Sequence, residues 1–357
     1  MSSKRNIRAG FRAFVTPTLP HTLQQSASRC FRPSTLVRGF QVITMKKTFV
    51  FAAVALLAGA AQAQVSVYGL IDMSYGKSVA SDAAGLKADF HSGGDNGSGE
   101  GNSTTRLGVK GNLDVGSGMK ANFKFETGGI NSDGAVNPGG AFFNRQAWAG
   151  VSGGFGEVRL GRQDSVPFQT MAGFDQNGAS NGVSAPGLAG VATWGTGRQS
   201  RSLQYISPKF GGLSVQAGFV PEGNVAGAKN NVSLGVSYGV DKLSAAVAYE
   251  SKRVDGGEDF MSVSAGYDFG FAKFALGYAD GGKNAKGLST GVTVPVGAGI
   301  TVGGQYARNS DTKGSAYELF VNKEVLKNTY AYFEAGKANA KTGVDGTGYA
   351  LGLILVF

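Results

Sequence analysis

From Gln64 onward, apolar and polar residues alternate in short stretches separated by Gly, Asn, Asp and Ser, and no apolar run approaches the ~20 residues of a spanning helix. Residues 120–127 show the pattern. Ala121, Phe123, Phe125 and Thr127 fall on one side of an extended chain, and Lys120, Asn122, Lys124 and Glu126 on the other. Such a segment has one face for an apolar medium and one for water, so it must pair with others into a two-sided sheet. The region is expected to be all-β.

Sixteen segments of this kind can be marked: 65–75, 104–115, 120–127, 144–152, 156–163, 202–207, 213–220, 231–238, 242–251, 260–268, 271–279, 287–294, 299–307, 315–322, 329–337 and 347–357. Their connections alternate in length. Short ones, such as 116–118, 239–241 and 269–270, take turns with long ones, such as 77–102, 128–142 and 164–201. An even strand count with tight turns at one rim and long loops at the other predicts a closed transmembrane antiparallel β-barrel wide enough to hold water. A soluble sandwich would alternate too. However, Tyr238, Tyr249, Tyr267, Tyr278, Tyr306, Tyr330 and Tyr332 lie near segment ends, as an interfacial girdle would.

The formal net charge of +10 misleads unless it is located. Residues 1–63 hold nine basic side chains and no acid, which leaves 64–357 near neutrality and removes the electrostatic footprint of a nucleic-acid binder. Within that stretch Met45-Lys46-Lys47, an apolar run over 49–57 and Ala61-Gln62-Ala63 follow the order of a secretory signal cut after Ala63. The expected organisation is a signal peptide at 45–63 for Sec-type export and a barrel at 64–357. Residues 1–44 read as a misassigned start or unstructured extension, with an Arg- and Ser-rich transit segment as the alternative. Cys30, the single cysteine, lies upstream of the cut, so no disulfide staples the exported part.

A wide barrel selects by size only if it narrows, and the connection 164–201, the longest, is the one able to fold inward. Phe168, Met171, Phe174, Leu188, Val191 and Trp194 give it apolar anchors, whereas the Gly-rich tract 94–99 reads as solvent-exposed and mobile. On the wall, Leu107, Val109 and Leu113 take the outer face, which sends Arg106 and Lys110 into the lumen. Lys120 and Lys124 follow on the next strand. Arg145 is assigned inward and Trp148 outward, because a lipid-facing arginine near the midplane costs ~2–4 kcal/mol. Arg159 shares a face with Glu157; Arg162 needs an irregular strand end to join it. Arg198 and Arg201 close the long loop, and Asp164 and Asp175 are the carboxylates expected to face them across a transverse field. His91, the lone histidine of 64–357, sits in a Gly-rich connection without a partner nucleophile, so neither catalytic residues nor a metal or cofactor set is expected.

Thr105-Arg106-Leu107-Gly108-Val109-Lys110-Gly111, then Asn144-Arg145-Gln146-Ala147-Trp148-Ala149-Gly150-Val151, then Phe155-Gly156-Glu157-Val158-Arg159-Leu160-Gly161-Arg162-Gln163 resemble the Gram-negative general porins, especially the beta-proteobacterial branch. Val67-Tyr68-Gly69, Tyr205-Ile206-Ser207-Pro208 and the terminal Phe357 extend the resemblance over 45–357. It implies a sixteen-stranded homotrimer in outer-membrane lipid and lipopolysaccharide, passing small hydrophilic solutes and ions by diffusion, with 164–201 as the inward eyelet loop. It also implies that Arg106 and Arg145 belong to the basic wall of the constriction, that Asp175 matches the eyelet acid, and that Phe357 is the insertion signal. With Glu126 the one acid on the faces of Arg106, Lys110, Lys120, Lys124 and Arg145, a mild anion preference is expected. A substrate-selective channel, or a barrel adhesin or enzyme, are the alternatives.

Overall fold

The computed structural model describes residues 64–357 apart from 94, 96–99, 137–139, 180, 224–225 and 340–343. The assignments made for 1–44 and 45–63, and most of the tract 94–99, lie outside the described residues.

Seventeen strands form one sheet among the described residues. They are β1 (Gln64–Lys77), β2 (Asp89–Ser92), β3 (Arg106–Gly116), β4 (Met119–Gly128), β5 (Gln146–Gly153), β6 (Gly156–Asp164), β7 (Arg198–Ile206), β8 (Leu213–Val220) and β9 (Asn231–Val240). Then follow β10 (Leu243–Glu250), β11 (Phe260–Asp268), β12 (Lys273–Asp280), β13 (Lys286–Gly297), β14 (Ile300–Asn309), β15 (Ser315–Leu326), β16 (Thr329–Asn339) and β17 (Gly346–Val356). Every one of the sixteen marked segments is a strand. The addition is β2, four residues inside the first long connection that pair with β1.

Each strand pairs antiparallel with its neighbour, and β1 closes the ring by joining β3 through its first half and β17 through its second. Phe357 completes that seam. Its backbone exchanges hydrogen bonds with Gly69 at 2.9 and 3.1 Å, and its ring covers Gly69 so closely that a Cβ there would stand 2.4 Å away. The tight turns need left-handed backbone at Ser117, Asp241, Ala298 and Asn328 (φ 54, 50, 51 and 59°).

Alternation along the strands decides the two faces. Phe125, Leu160, Leu203, Val247, Leu276 and Leu319 stand exposed on the outside, a continuous apolar surface of the kind a bilayer covers. Tyr238, Tyr249, Tyr267, Tyr278 and Tyr306 join it near the rims. Tyr332 does not belong to the girdle: it is buried, opposite Gly352, with its hydroxyl donating to Asp72, because its parity on β16 is that of Glu334 rather than Phe333, and Tyr330 shares that inward parity.

The inner wall is divided. On β3–β7 it carries Arg106, Lys110, Lys124, Glu126, Glu157 and Arg159. On β10–β15 it carries Ala246, Ala248, Ala279, Ala307 and Ala316, all buried under Met171, Ala185, Ala189 and Val191 of the segment between β6 and β7. That segment is built to lie there. Ser165 caps the short helix Val166–Met171 by accepting from the Phe168 amide (3.1 Å), and Pro167 pre-sets its first turn. Its apolar side drops into a gap left by Gly235, where a Cβ would stand 2.2 Å from Thr170 Oγ1. Further along, the Ala185 amide donates to Glu318 of β15 (2.7 Å) and Gln176 accepts from Thr293 of β13 (2.9 Å).

Candidate functional site

The charged groups of the inner wall converge on Glu126. Tyr68 of β1 donates its hydroxyl to Glu126 Oε2 (2.6 Å), Arg145 Nε lies 2.5 Å from Oε1, and Lys124 Nζ lies 3.5 Å from Oε2. Register brings them together, since Tyr68 stands opposite Gly108 and Gly108 opposite Glu126. Gly108 is required: a Cβ there would meet the Tyr68 ring at 2.4 Å. The ring in turn carries the ammonium groups of Lys110 and Lys124 at 5.0 and 5.5 Å from its centroid, within cation–π range. Arg106 reaches only neutral acceptors, Ser103 Oγ (3.4 Å) and the Thr104 carbonyl (3.3 Å), and feels the charges of Arg145, Glu126 and Asp164. Arg159 pairs with Glu157 (2.5 Å) and lies 4.4 Å from the Trp148 ring; Arg198 Nε pairs with Asp164 (3.0 Å).

Arg145 is inside for a reason other than strand parity. It precedes β5, where the Asn144 side chain bonds both backbone groups of Gly128 (2.9 and 2.8 Å), and its stem crosses Gly128 to reach Glu126. Trp148 corrects the expected outer placement. It stands opposite Lys124, while Ala147 and Ala149 stand opposite Phe125 and Phe123 and so take the outer face. The indole N–H finds Gln146 Oε1 at 2.9 Å.

Four of the expected site residues stand apart from this cluster. Arg162 keeps the outer parity of Ala147, donating to the Asn144 carbonyl (2.6 Å) and Ser200 Oγ (2.8 Å). The strand-end irregularity it needed exists, but the one extra residue falls on β7, where Arg201 is left-handed (φ 56°), so Arg162 is not turned inward. Arg201 is exposed and reaches toward Gly223 in the 221–230 connection. Lys120, opposite Ser152, faces inward at the short-turn rim. Asp175 does not oppose an arginine row. Buried, it accepts from Gln305 Nε2 (2.7 Å), the Ser184 hydroxyl (2.8 Å) and the Asn177 amide (3.1 Å), and burial pushes its carboxyl above the usual range. The loop's single acid is turned to the wall behind it, where Gln305 of β14 and the loop's own Ser184 and Asn177 supply hydrogen-bond donors.

The arrangement therefore sets five cationic heads, Arg106, Lys110, Lys124, Arg145 and Arg159, against two carboxylates, Glu126 and Glu157, on the inner side of β3–β6, with the Arg198–Asp164 pair at the β6–β7 end near enough for Arg198 to feel the charges of Arg145 and Glu126. Segment 165–197, on the other side, has no charged residue except Asp175. Glu126 is the brake on the positive field. Glu126→Gln is expected to keep the Tyr68 contact, release Arg145 and raise the anion-over-cation permeability ratio about twofold at low salt, read as the zero-current potential across a salt gradient. No change would mean that Glu126 lies off the ion path.

A family model described as Gram-negative porin matches residues 50–343. Outer membrane porin protein 32 of Delftia acidovorans is 35% identical over 256 residues, covering 65% of this chain and 68% of that protein. An outer membrane porin protein of Bordetella pertussis is 30% identical over 295 residues, covering 71% and 74%. Among solved structures, an anion-selective porin from Comamonas acidovorans superposes with a TM-score of 0.68 at 26% identity, covering 83% of this chain and all of that one. An outer membrane protein of Vibrio cholerae matches with a TM-score of 0.60 at 16% identity, a likeness of fold alone.

Proposed function

We propose how this chain filters solutes from one premise: it belongs to the Gram-negative porin family and is a passive-diffusion channel of the outer membrane. The aqueous path runs between segment 165–197, acting as the eyelet loop, and the charged wall of β3–β7. Solutes small enough to pass the gap move down their gradients without a chemical step. The channel prefers anions, in keeping with the anion-selective porin it resembles. One observation carries the preference: the loop bordering the path presents no carboxylate to the cationic wall, since Asp175 is buried against Gln305. Field lines from the wall are focused by the low-dielectric barrel and meet no opposing acid. The chain works as a homotrimer, and export removes 1–63.

Purified trimers in a planar bilayer test this. A linear, water-filled conductance is expected, with a zero-current potential of anion-selective sign across a tenfold KCl gradient. A cation-selective sign would overturn the reading of the wall. Saturable block by a neutral sugar would instead make the chain a substrate-selective channel.

A further inference from the structure

The first long connection returns to the wall at Gly101–Ser103, and it does not return alone. The Asn102 side-chain amide donates to Glu334 Oε2 on β16 (2.9 Å) and to Asn177 Oδ1 in the eyelet loop (3.1 Å). Asn177 Nδ2 donates to the same Glu334 oxygen at 2.9 Å, and the Gly182 amide donates to the Gly101 carbonyl at 2.9 Å. From the other side, the Asn102 and Ser103 amides donate to Asp72 Oδ2 on β1 (2.8 and 2.6 Å), whose Oδ1 accepts from Tyr332 (2.8 Å). Both hydrogens of the Asn102 amide and its backbone N–H are thus spent on three different elements: β1, which closes the ring, β16 two strands along the wall, and the eyelet loop.

We propose that Asn102 is a positioning residue for permeation: it latches the eyelet loop to the wall through Asn177 and Glu334 and so fixes the width of the gap. The geometry gives the reason. Elsewhere the loop is held by apolar packing around Met171 and Ala185, which is non-directional, and by hydrogen bonds to Thr293, Gln305 and Glu318 on β13, β14 and β15. Asn102 supplies a directional contact from outside the loop, at Asn177, two residues past Asp175. Buried polar groups joined in this way hold one arrangement, because any displacement leaves a donor or acceptor unpaired away from water. Asn102 is neutral, so its influence falls on width and steadiness and not on charge selection. The proposal rests on segment 165–197 bordering the conducting path, which substitutions at Arg106 and Arg145 test separately.

The test is single-channel recording of full-length trimers carrying Asn102→Ala, or Asn102→Leu, which keeps a similar shape but removes both donors and adds no charge. Both are expected to raise open-channel current variance at least threefold, with excursions to wider levels, while the zero-current potential in a salt gradient stays at the wild-type value and the barrel stays heat-modifiable. Glu334→Gln keeps an acceptor for both amides and is expected to stay quiet. Should the Asn102 variants fail to assemble, Asn177→Ala removes the loop side of the bridge without touching the backbone contacts to Asp72, and the same rise is expected. Wild-type variance in the assembled Asn102 variants, or in Asn177→Ala, would overturn the latch. A shift in zero-current potential matching the rise in noise would overturn it too, by showing that these residues act on charge.

Discussion

Replacing Arg106 and Arg145 together by Ser is expected to abolish the anion preference and, at low salt, to reverse it. Two positive charges leave the cationic wall, and the loss is compounded at Glu126. Arg145 is the cation nearest Glu126, at 2.5 Å, so its removal leaves that carboxylate held only by Tyr68 and by Lys124 at 3.5 Å. The wall thus loses cations and uncovers an acid. A drop of about fivefold or more in the anion-over-cation permeability ratio is expected near 10 mM salt, where the Debye length is ~30 Å, shrinking toward parity at 1 M, where it is ~3 Å. The barrel should fold normally, since both side chains point away from the lipid-covered face and the pairing of β3, β4 and β5 is backbone-borne. An unchanged zero-current potential across a tenfold gradient would remove Arg106 and Arg145 from the constriction.

Met171→Ala should detach the eyelet loop while leaving the barrel intact. Met171 is fully buried, within a cluster that joins Ala185, Ala189 and Val191 of the loop to Ala246, Ala248 and Phe260 of the wall. Truncating such a side chain costs about 2–5 kcal/mol. The cost falls on docking, because the strand ladders make no use of the thioether. Two kcal/mol corresponds to roughly thirtyfold more undocked loop, so protease cleavage within 165–197 should accelerate by that order, with unchanged heat-modifiability of the barrel. Cleavage at the wild-type rate would mean that the loop is held by its polar contacts alone.

The large features were legible because they follow from period two. An extended chain whose alternate residues face lipid and water can satisfy both only as a closed barrel, so strands, turns and the rim-to-rim asymmetry could be read residue by residue. Lumen placement of Arg106, Lys110, Lys124 and Arg159 followed from the same rule. It failed where the chain leaves the sheet or slips register. Arg145 reaches the lumen from outside the strand, and Trp148 turns in because Ala147 and Ala149 take the outside; Arg162 keeps the outer parity that alternation gave it, since the irregularity falls on β7.

The seat of the eyelet loop also left a mark that went unread. A run of inner-face positions on β10–β15 is Ala or Gly where an open lumen would carry larger polar residues, as at Ala246, Ala248, Gly277, Ala279, Ala307 and Ala316. The first connection, read as solvent-exposed and mobile near its end, brings Asn102 and Ser103 onto Asp72. By itself, then, the sequence determined the barrel, its two faces and the family, since all of these rest on local alternation and short motifs. Only the tertiary structure decided which charges meet. The burial of Asp175, the hub at Glu126 and the bridge at Asn102 each join residues far apart in the chain, and spacing along the chain carries no record of such contacts.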